Sequence, residues 1–185
     1  MSSCSKKVSL KNCNYSVLVN DYISKYRRYH HLVFRKIQSF NSLDDVMEYV
    51  ALAIDLNGKR FAHQRRLKKQ ALINSRDILF QNITKLKKVN DFHSLFEIVT
   101  DLLLPIKGVG ELYYYDTTLK LGSYLRLFPE YIYLHSGTRT GAQKMNLPFK
   151  KKYLLKHEIP MELQKLLPYE VEDFLCIYKD SFNKR

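Results

Sequence analysis

Apolar residues recur at spacings of three and four along most of the chain, which is the pattern of helices that bury one face. Four helices are predicted in the first half, over residues 15–39, 42–57, 60–88 and 92–103. Ser42 and Asp91 are typical N-cap residues, and Asn57-Gly58 and Pro105 are typical of positions where a helix ends. Four successive helices, with short connections between them, are therefore predicted from residue 15 to residue 103.

The second half continues this pattern with interruptions. A helix with Leu112, Leu119 and Leu125 on its apolar side is predicted after Lys107-Gly108-Val109-Gly110. Residues 131–134 are the one plausible strand. Pro160 and Pro168 are each predicted in the first turn of a helix, where proline is favoured. The fold class is therefore predicted as all-α: a single-domain bundle of six to eight helices over 14–185, with at most one short strand.

Residues 1–13 are polar and aperiodic, which predicts a flexible tail. Neither a secretion signal nor an apolar run of about 18 residues is visible, so no membrane partner is expected. Cys4, Cys13 and Cys176 form no CxxC pair and have no His ligands at zinc spacing, so no disulfide framework, no metal and no cofactor are predicted. A reducing, cytoplasmic location is expected from this cysteine usage.

The charge balance narrows the choice of partner. The sequence has 31 Lys and Arg against 18 Asp and Glu, a formal charge of +13. Such a surface attracts polyanions, so DNA is the expected partner and RNA a second candidate. Codon bias toward Lys, Asn, Ile and Tyr is the alternative explanation.

The segment Leu103 to Leu112, with Lys107-Gly108-Val109-Gly110 at its centre, resembles a helix-hairpin-helix motif. The resemblance covers about 96–125 and implies that the hairpin holds a DNA backbone phosphate. Two glycines around a small apolar residue permit a tight turn and leave backbone N–H groups free at a helix start. The family prefers a small residue where this sequence has Tyr114. The first turn of the second helix has no lysine, so the glycosylase activity of some members is not carried over.

A dense basic stretch precedes the hairpin. Residues 59–69 contain no acid and carry seven side chains that are cationic or can become so, namely Lys59, Arg60, His63, Arg65, Arg66, Lys68 and Lys69. Repulsion within this stretch is tolerable if a polyanion relieves it, so a phosphate-contacting helix face is predicted. The alternative is a solvated helix surface. Two further basic stretches, 25–36 and 150–152, could extend the face.

The segment His135 to Ala142 is predicted to be a loop that opens a short helix. A possible anion pocket there would consist of His135, Ser136, Thr138, Arg139, Thr140 and Gly141. A forked arginine, hydroxyl groups and free N–H groups are suited to binding an anion. The alternative is an ordinary turn with Thr138 or Thr140 as N-cap.

Sequence-independent DNA binding by the hairpin and the basic stretch is the predicted function. One alternative is an enzyme that acts on nucleic acid or on a phosphorylated ligand at His135–Gly141. Another is a protein-interaction module for an acidic partner. Three further acids, Glu170, Glu172 and Asp173, are interpreted as local helix ion pairs and dipole compensation, without a chemical role.

Overall fold

The computed structural model describes residues 14–182, and this part of the chain is all-α with one small β-sheet, which confirms the predicted fold class. The predicted tail, 1–13, lies outside the described residues. The elements are α1 (Tyr15–Tyr22), α2 (Arg28–Gln38), α3 (Leu43–Ala51), α4 (Lys69–Gln81), α5 (Ile83–Lys87), α6 (Phe92–Leu103), α7 (Glu111–Leu125), β1 (Ile132–Tyr133), α8 (Ser136–Lys144), β2 (Tyr153–Leu154) and α9 (Pro168–Ile177).

The predicted first helix is present as α1 and α2, joined by the π-helical segment Ile23–Arg27. Ser42 and Asp91 cap α3 and α6 as predicted, because their side chains accept the N–H groups of Asp45 and Ser94. Pro168 is the first residue of α9, as predicted. After Pro160 only a short 3₁₀ turn forms, at Leu163–Lys165.

The predicted helices over 42–57 and 60–88 are shorter than expected. Helix α3 ends at Ala51, and Ala53 has a left-handed φ of 56°. Arg60 forms an isolated antiparallel bridge with Ile54, Ala62–Gln64 is a 3₁₀ turn, and α4 begins only at Lys69. Successive cations repel one another across a helical turn. Phe61 and Gln64 are instead buried in tertiary contacts. The basic stretch is therefore not a helix face.

The apolar core has two clusters. One contains residues of α2, α3, α4, α6 and α7, and the other contains residues of α1, α8 and α9. Strand β1 links them because its side chains alternate: Ile132 belongs to the second cluster and Tyr133 to the first. It pairs antiparallel with β2, which was not predicted from the sequence.

Candidate nucleic-acid interface

The glycine hairpin joins α6 to α7, which pack against each other. Gly108 has a φ of +98°, a region that favours glycine, and Gly110 is the N-cap of α7. Tyr114, at the position where a small residue is preferred, is buried, and its hydroxyl donates to the Val109 carbonyl at 3.3 Å. The tyrosine therefore closes the turn instead of preventing it.

The basic stretch lies beside this hairpin. Lys68 and Ala71 share a groove of about 640 Å³ with Pro105 and Lys107. A Cβ atom built on Gly108 would lie 3.9 Å from the Ala71 Cβ. A second groove, of about 330 Å³, is lined by residues 63, 64 and 67 on one side and by residues 110–113 on the other. Two segments separated by about forty residues thus form one surface, here called the cationic face (residues 59–69 and 107–110).

Two helix N-termini open on the cationic face. Lys68 is the N-cap of α4 and Gly110 is the N-cap of α7, and neither caps its helix with a side chain. The first turn of each helix therefore presents backbone N–H groups without side-chain acceptors, and the helix dipole favours an anion there.

Most cations of this face have no carboxylate partner. Within residues 14–182, the lysines and arginines that form ion pairs are Lys25, Arg27, Arg76, Lys120, Arg139, Lys144 and Lys151. No such pair is formed in this part of the chain by the exposed side chains of Lys59, Arg65, Arg66, Lys68, Lys69 and Lys107. Arg60 differs, because its guanidinium donates to the Leu67 carbonyl at 2.6 Å and holds the stretch together.

The segment His135–Gly141 is helical and not a loop: α8 begins at Ser136, with His135 as N-cap. Thr138 is buried, and its hydroxyl oxygen accepts from the His135 N–H at 2.7 Å. The Thr140 hydroxyl donates to the Ser136 carbonyl, so neither threonine is the N-cap. Gly141 packs against the backbone of Leu175. Thr138, Thr140 and Gly141 of the predicted pocket are therefore engaged in contacts within the helix or with α9. Gly141 in particular allows α8 to approach α9 closely.

Arg139 connects this segment to the hairpin helix. Its Nη2 donates to the Glu111 carboxylate at 3.0 Å, and its Nη1 donates to the Lys151 carbonyl at 3.2 Å. Ser136 also lines the groove at the start of α7. The structure therefore places the start of α8 next to the hairpin, although 25 or more positions separate them.

His135 is buried and forms a hydrogen bond through Nε2 with Glu172, which is also buried. Burial opposes the charge on His135, but the hydrogen bond and charge of Glu172 raise the pKa of His135 above its usual value. Burial raises the pKa of Glu172 to about 7, although His135 opposes this shift. The two groups share a hydrogen bond, so the titration of each depends on the charge of the other.

Asp116, on α7, holds the basic stretch in place through its carboxylate. Its carboxylate accepts from Gln64, pairs with His63 at 2.6 Å and lies 3.5 Å from the Lys120 ammonium. Burial opposes ionisation of Asp116, yet Lys120 and His63 lower its pKa. Lys120 in turn lies over the Phe61 ring, 4.4 Å from its centre. These contacts hold residues 61–64 against α7.

The interpretation of Glu170, Glu172 and Asp173 as local ion pairs is wrong. Glu170 pairs with Arg27, Glu172 with His135, and Asp173 with His30. One part of the interpretation is correct, since Glu170 also accepts from the Leu167 N–H at the N-terminus of α9. The sequence did contain a signal for these distant partners. Three acids interrupt an apolar helix, and a buried acid needs a partner.

In the other two basic stretches, 25–36 and 150–152, some of the cations already have partners within the protein. Arg27 is paired with Glu170, Lys25 with Asp21, and Lys36 lies over Phe40. Within 150–152, Lys151 is paired with Glu158, whereas Lys152 lines a cavity with Arg139.

In comparisons with protein-family models, curated proteins and solved structures, no match to this chain was found. Within residues 14–182, no group of three or more His, Cys, Asp or Glu side chains is placed to hold a metal ion. No helix of this part is both long enough and apolar enough to span a bilayer.

Proposed function

We propose that this protein binds nucleic acid through backbone phosphates, independently of base sequence, on the cationic face. DNA is the first candidate and RNA the second. Such contacts fix the position of a strand without reading its bases.

One observation carries the proposal: the basic stretch and the glycine hairpin, distant in sequence, form one surface onto which two uncapped helix N-termini open. Unpaired lysines and arginines supply the long-range attraction, and the N–H groups supply directed contacts. Two acids next to this site are already engaged: Asp116 by His63, Gln64 and Lys120, and Glu111 by Arg139.

The first test is fluorescence anisotropy with labelled single-stranded and double-stranded DNA and RNA between low and physiological salt. The logarithm of the association constant should fall linearly with the logarithm of salt concentration, by about 0.9 for each duplex phosphate neutralised. Scrambling the base sequence should change the affinity little. A flat salt response contradicts the proposal.

Two variants of equal charge locate the site. Lys68→Glu/Lys107→Glu should weaken binding and reduce the salt slope by about 2, because each lysine contributes about one phosphate contact. Lys85→Glu/Lys87→Glu changes two exposed cations on α5, beyond the far end of α4, and should leave the slope nearly unchanged. Equal losses in both variants would show that only net charge matters.

The hairpin has its own probe. A Cβ atom on Gly110 would meet nothing within 4 Å, so Gly110→Leu should fold and place a side chain over the start of α7. Weaker binding by this folded variant supports the hairpin as a phosphate contact. Stronger competition by an acidic polypeptide than by DNA at equal salt would instead favour an acidic protein partner.

Catalysis on a bound nucleic acid or phosphorylated ligand is a second candidate. It is favoured by His135, which lines a cavity and is hydrogen-bonded to Glu172, a buried carboxyl whose pKa burial raises to about 7. His135→Ala and Arg139→Ala variants should then lose turnover while remaining folded. Retention of turnover by both variants would remove these residues from the reaction.

A further inference from the structure

A cavity of about 420 Å³ lies between α6, α7, the start of α8 and the β1–β2 sheet. This volume falls within the range of about 300–1,000 Å³ for small-ligand sites. Its wall is unusually aromatic, with Phe96, Tyr114, Tyr115, Tyr133 and Tyr153 among its lining residues. Aromatic walls of this kind suit a flat ring, which can stack on or pack edge-on against them.

Two of the lining residues carry a polar atom that has no hydrogen-bond partner within residues 14–182 and is not exposed to the cavity. The Thr100 Oγ1 and the Tyr115 hydroxyl are buried and form no hydrogen bond with the described residues. Tyr115 is only 1% exposed. The polar side chains among the lining residues, which include Glu97, Asp101 and Arg139, favour a ligand that offers hydrogen-bond donors and acceptors over a purely apolar one.

The charges around the cavity restrict what can enter it. Glu97, Asp101 and Glu111 line it on the side of α6 and α7, and Arg139 and Lys152 line the other side. Arg139 is already paired with Glu111. A phosphate inside the cavity would face three carboxylates, so the ring-shaped, uncharged part of a ligand belongs inside and its anionic part outside.

The cavity opens next to the cationic face. Glu111, the first residue of α7, lines both the cavity and the groove beside the basic stretch. A strand whose phosphates lie at the hairpin would therefore pass the cavity mouth, and its bases are flat, uncharged and carry donors and acceptors.

We propose that this aromatic cavity binds one unpaired base of a nucleic-acid strand whose phosphates lie on the cationic face. This inference rests on the proposed phosphate binding and adds a subsite to it. It predicts a preference for strands with unpaired bases over the same backbone without them.

The test compares a fluorescently labelled single-stranded DNA with an abasic strand of the same length and phosphate number, using the full chain at fixed salt. The intact strand should bind ~5- to 150-fold more tightly, the gain expected from stacking one base. Thr100→Phe, which places a bulky ring at a lining position, should reduce this difference while leaving the affinity for the abasic strand unchanged. Gln143→Phe adds the same ring at an exposed position of α8 and should preserve the difference.

Each outcome separates the two proposals. Equal, salt-dependent binding of both strands overturns the base subsite and leaves phosphate binding in place. No binding of either strand at any salt overturns both. If Thr100→Phe does not fold by circular dichroism, the smaller Thr100→Leu takes its place. Tight binding of a free nucleoside monophosphate, with no binding of strands, would contradict the proposal and make the cavity a small-molecule site.

Discussion

Arg27 and Glu170 are 143 positions apart and form a two-pronged ion pair, with Nε–Oε1 at 2.6 Å and Nη2–Oε2 at 2.7 Å. The Glu170 side chain is completely buried, so its charge depends on this partner. The pair fixes the π-helical segment between α1 and α2 against the start of α9.

Arg27→Ala should lower the free energy of unfolding by about 3–5 kcal/mol, because it leaves a buried carboxylate without a counter-charge. Urea unfolding followed by circular dichroism measures the change. The neighbouring Arg28 is exposed and forms no ion pair within residues 14–182, so Arg28→Ala should have an effect within about 0.5 kcal/mol. Similar losses in the two variants would contradict a structural role for the pair.

Gly141→Ala should destabilise the protein by about 1–3 kcal/mol or more, because its Cβ would lie 2.1 Å from the Leu175 carbonyl oxygen. The α8–α9 contact would have to open. Gly110→Ala is the matched substitution at a position with open space and an extended φ of −150°, and its unfolding midpoint should stay close to that of the original protein. Thermal unfolding of both variants checks this contrast, and tolerance of Gly141→Ala would refute the close packing.

The His135–Glu172 pair should make stability depend on pH. Folding raises the pKa values of both His135 and Glu172, so the folded state binds more protons than the unfolded chain between pH 5 and pH 8. The contribution of Glu172 is complete below its usual value of 4.5 and is lost as pH rises through about 7. Urea unfolding between pH 5 and pH 8 should therefore show a loss on the order of 2 kcal/mol.

Glu172→Gln retains an oxygen that can accept from His135 but cannot ionise. Its unfolding free energy should fall less steeply over the same pH range, because residue 172 no longer titrates and the charge that raises the pKa of His135 is gone. An unchanged slope would show that Glu172 does not titrate in this range.

Arg139→Ala should separate binding from stability. The Arg139–Glu111 pair is largely exposed, so its loss should cost no more than about 1 kcal/mol of stability. The substitution also leaves the Glu111 carboxylate unpaired at the hairpin, where it repels phosphate. DNA affinity should therefore fall about fivefold, equivalent to ~1 kcal/mol. Lys144→Ala removes the other ion pair of α8, to Asp180, and should not change the affinity in the anisotropy assay. Equal affinities of the two variants would exclude Arg139 from the interface.

Local sequence patterns predicted much of the fold. The caps Ser42 and Asp91, the proline at the start of α9 and the glycine turn before α7 all depend on backbone groups within a few residues. The predictions were wrong where tertiary contacts, and not local patterns, determine the backbone conformation. Residues 60–68 have helical spacing, yet burial of Phe61 and the bonds from Gln64 and His63 to Asp116 hold them in an irregular conformation.

For the candidate site, too, some features follow from the sequence and others depend on the tertiary structure. The sequence by itself determined which residues carry positive charge and that glycines form a turn before a helix, because both follow from residue type and short-range sterics. Only the tertiary structure decided that residues 59–69 lie at that turn, that Glu172 is the partner of His135, and that an aromatic cavity opens beside them. Such contacts depend on how distant helices pack, and spacing along the chain carries no information about which distant groups meet.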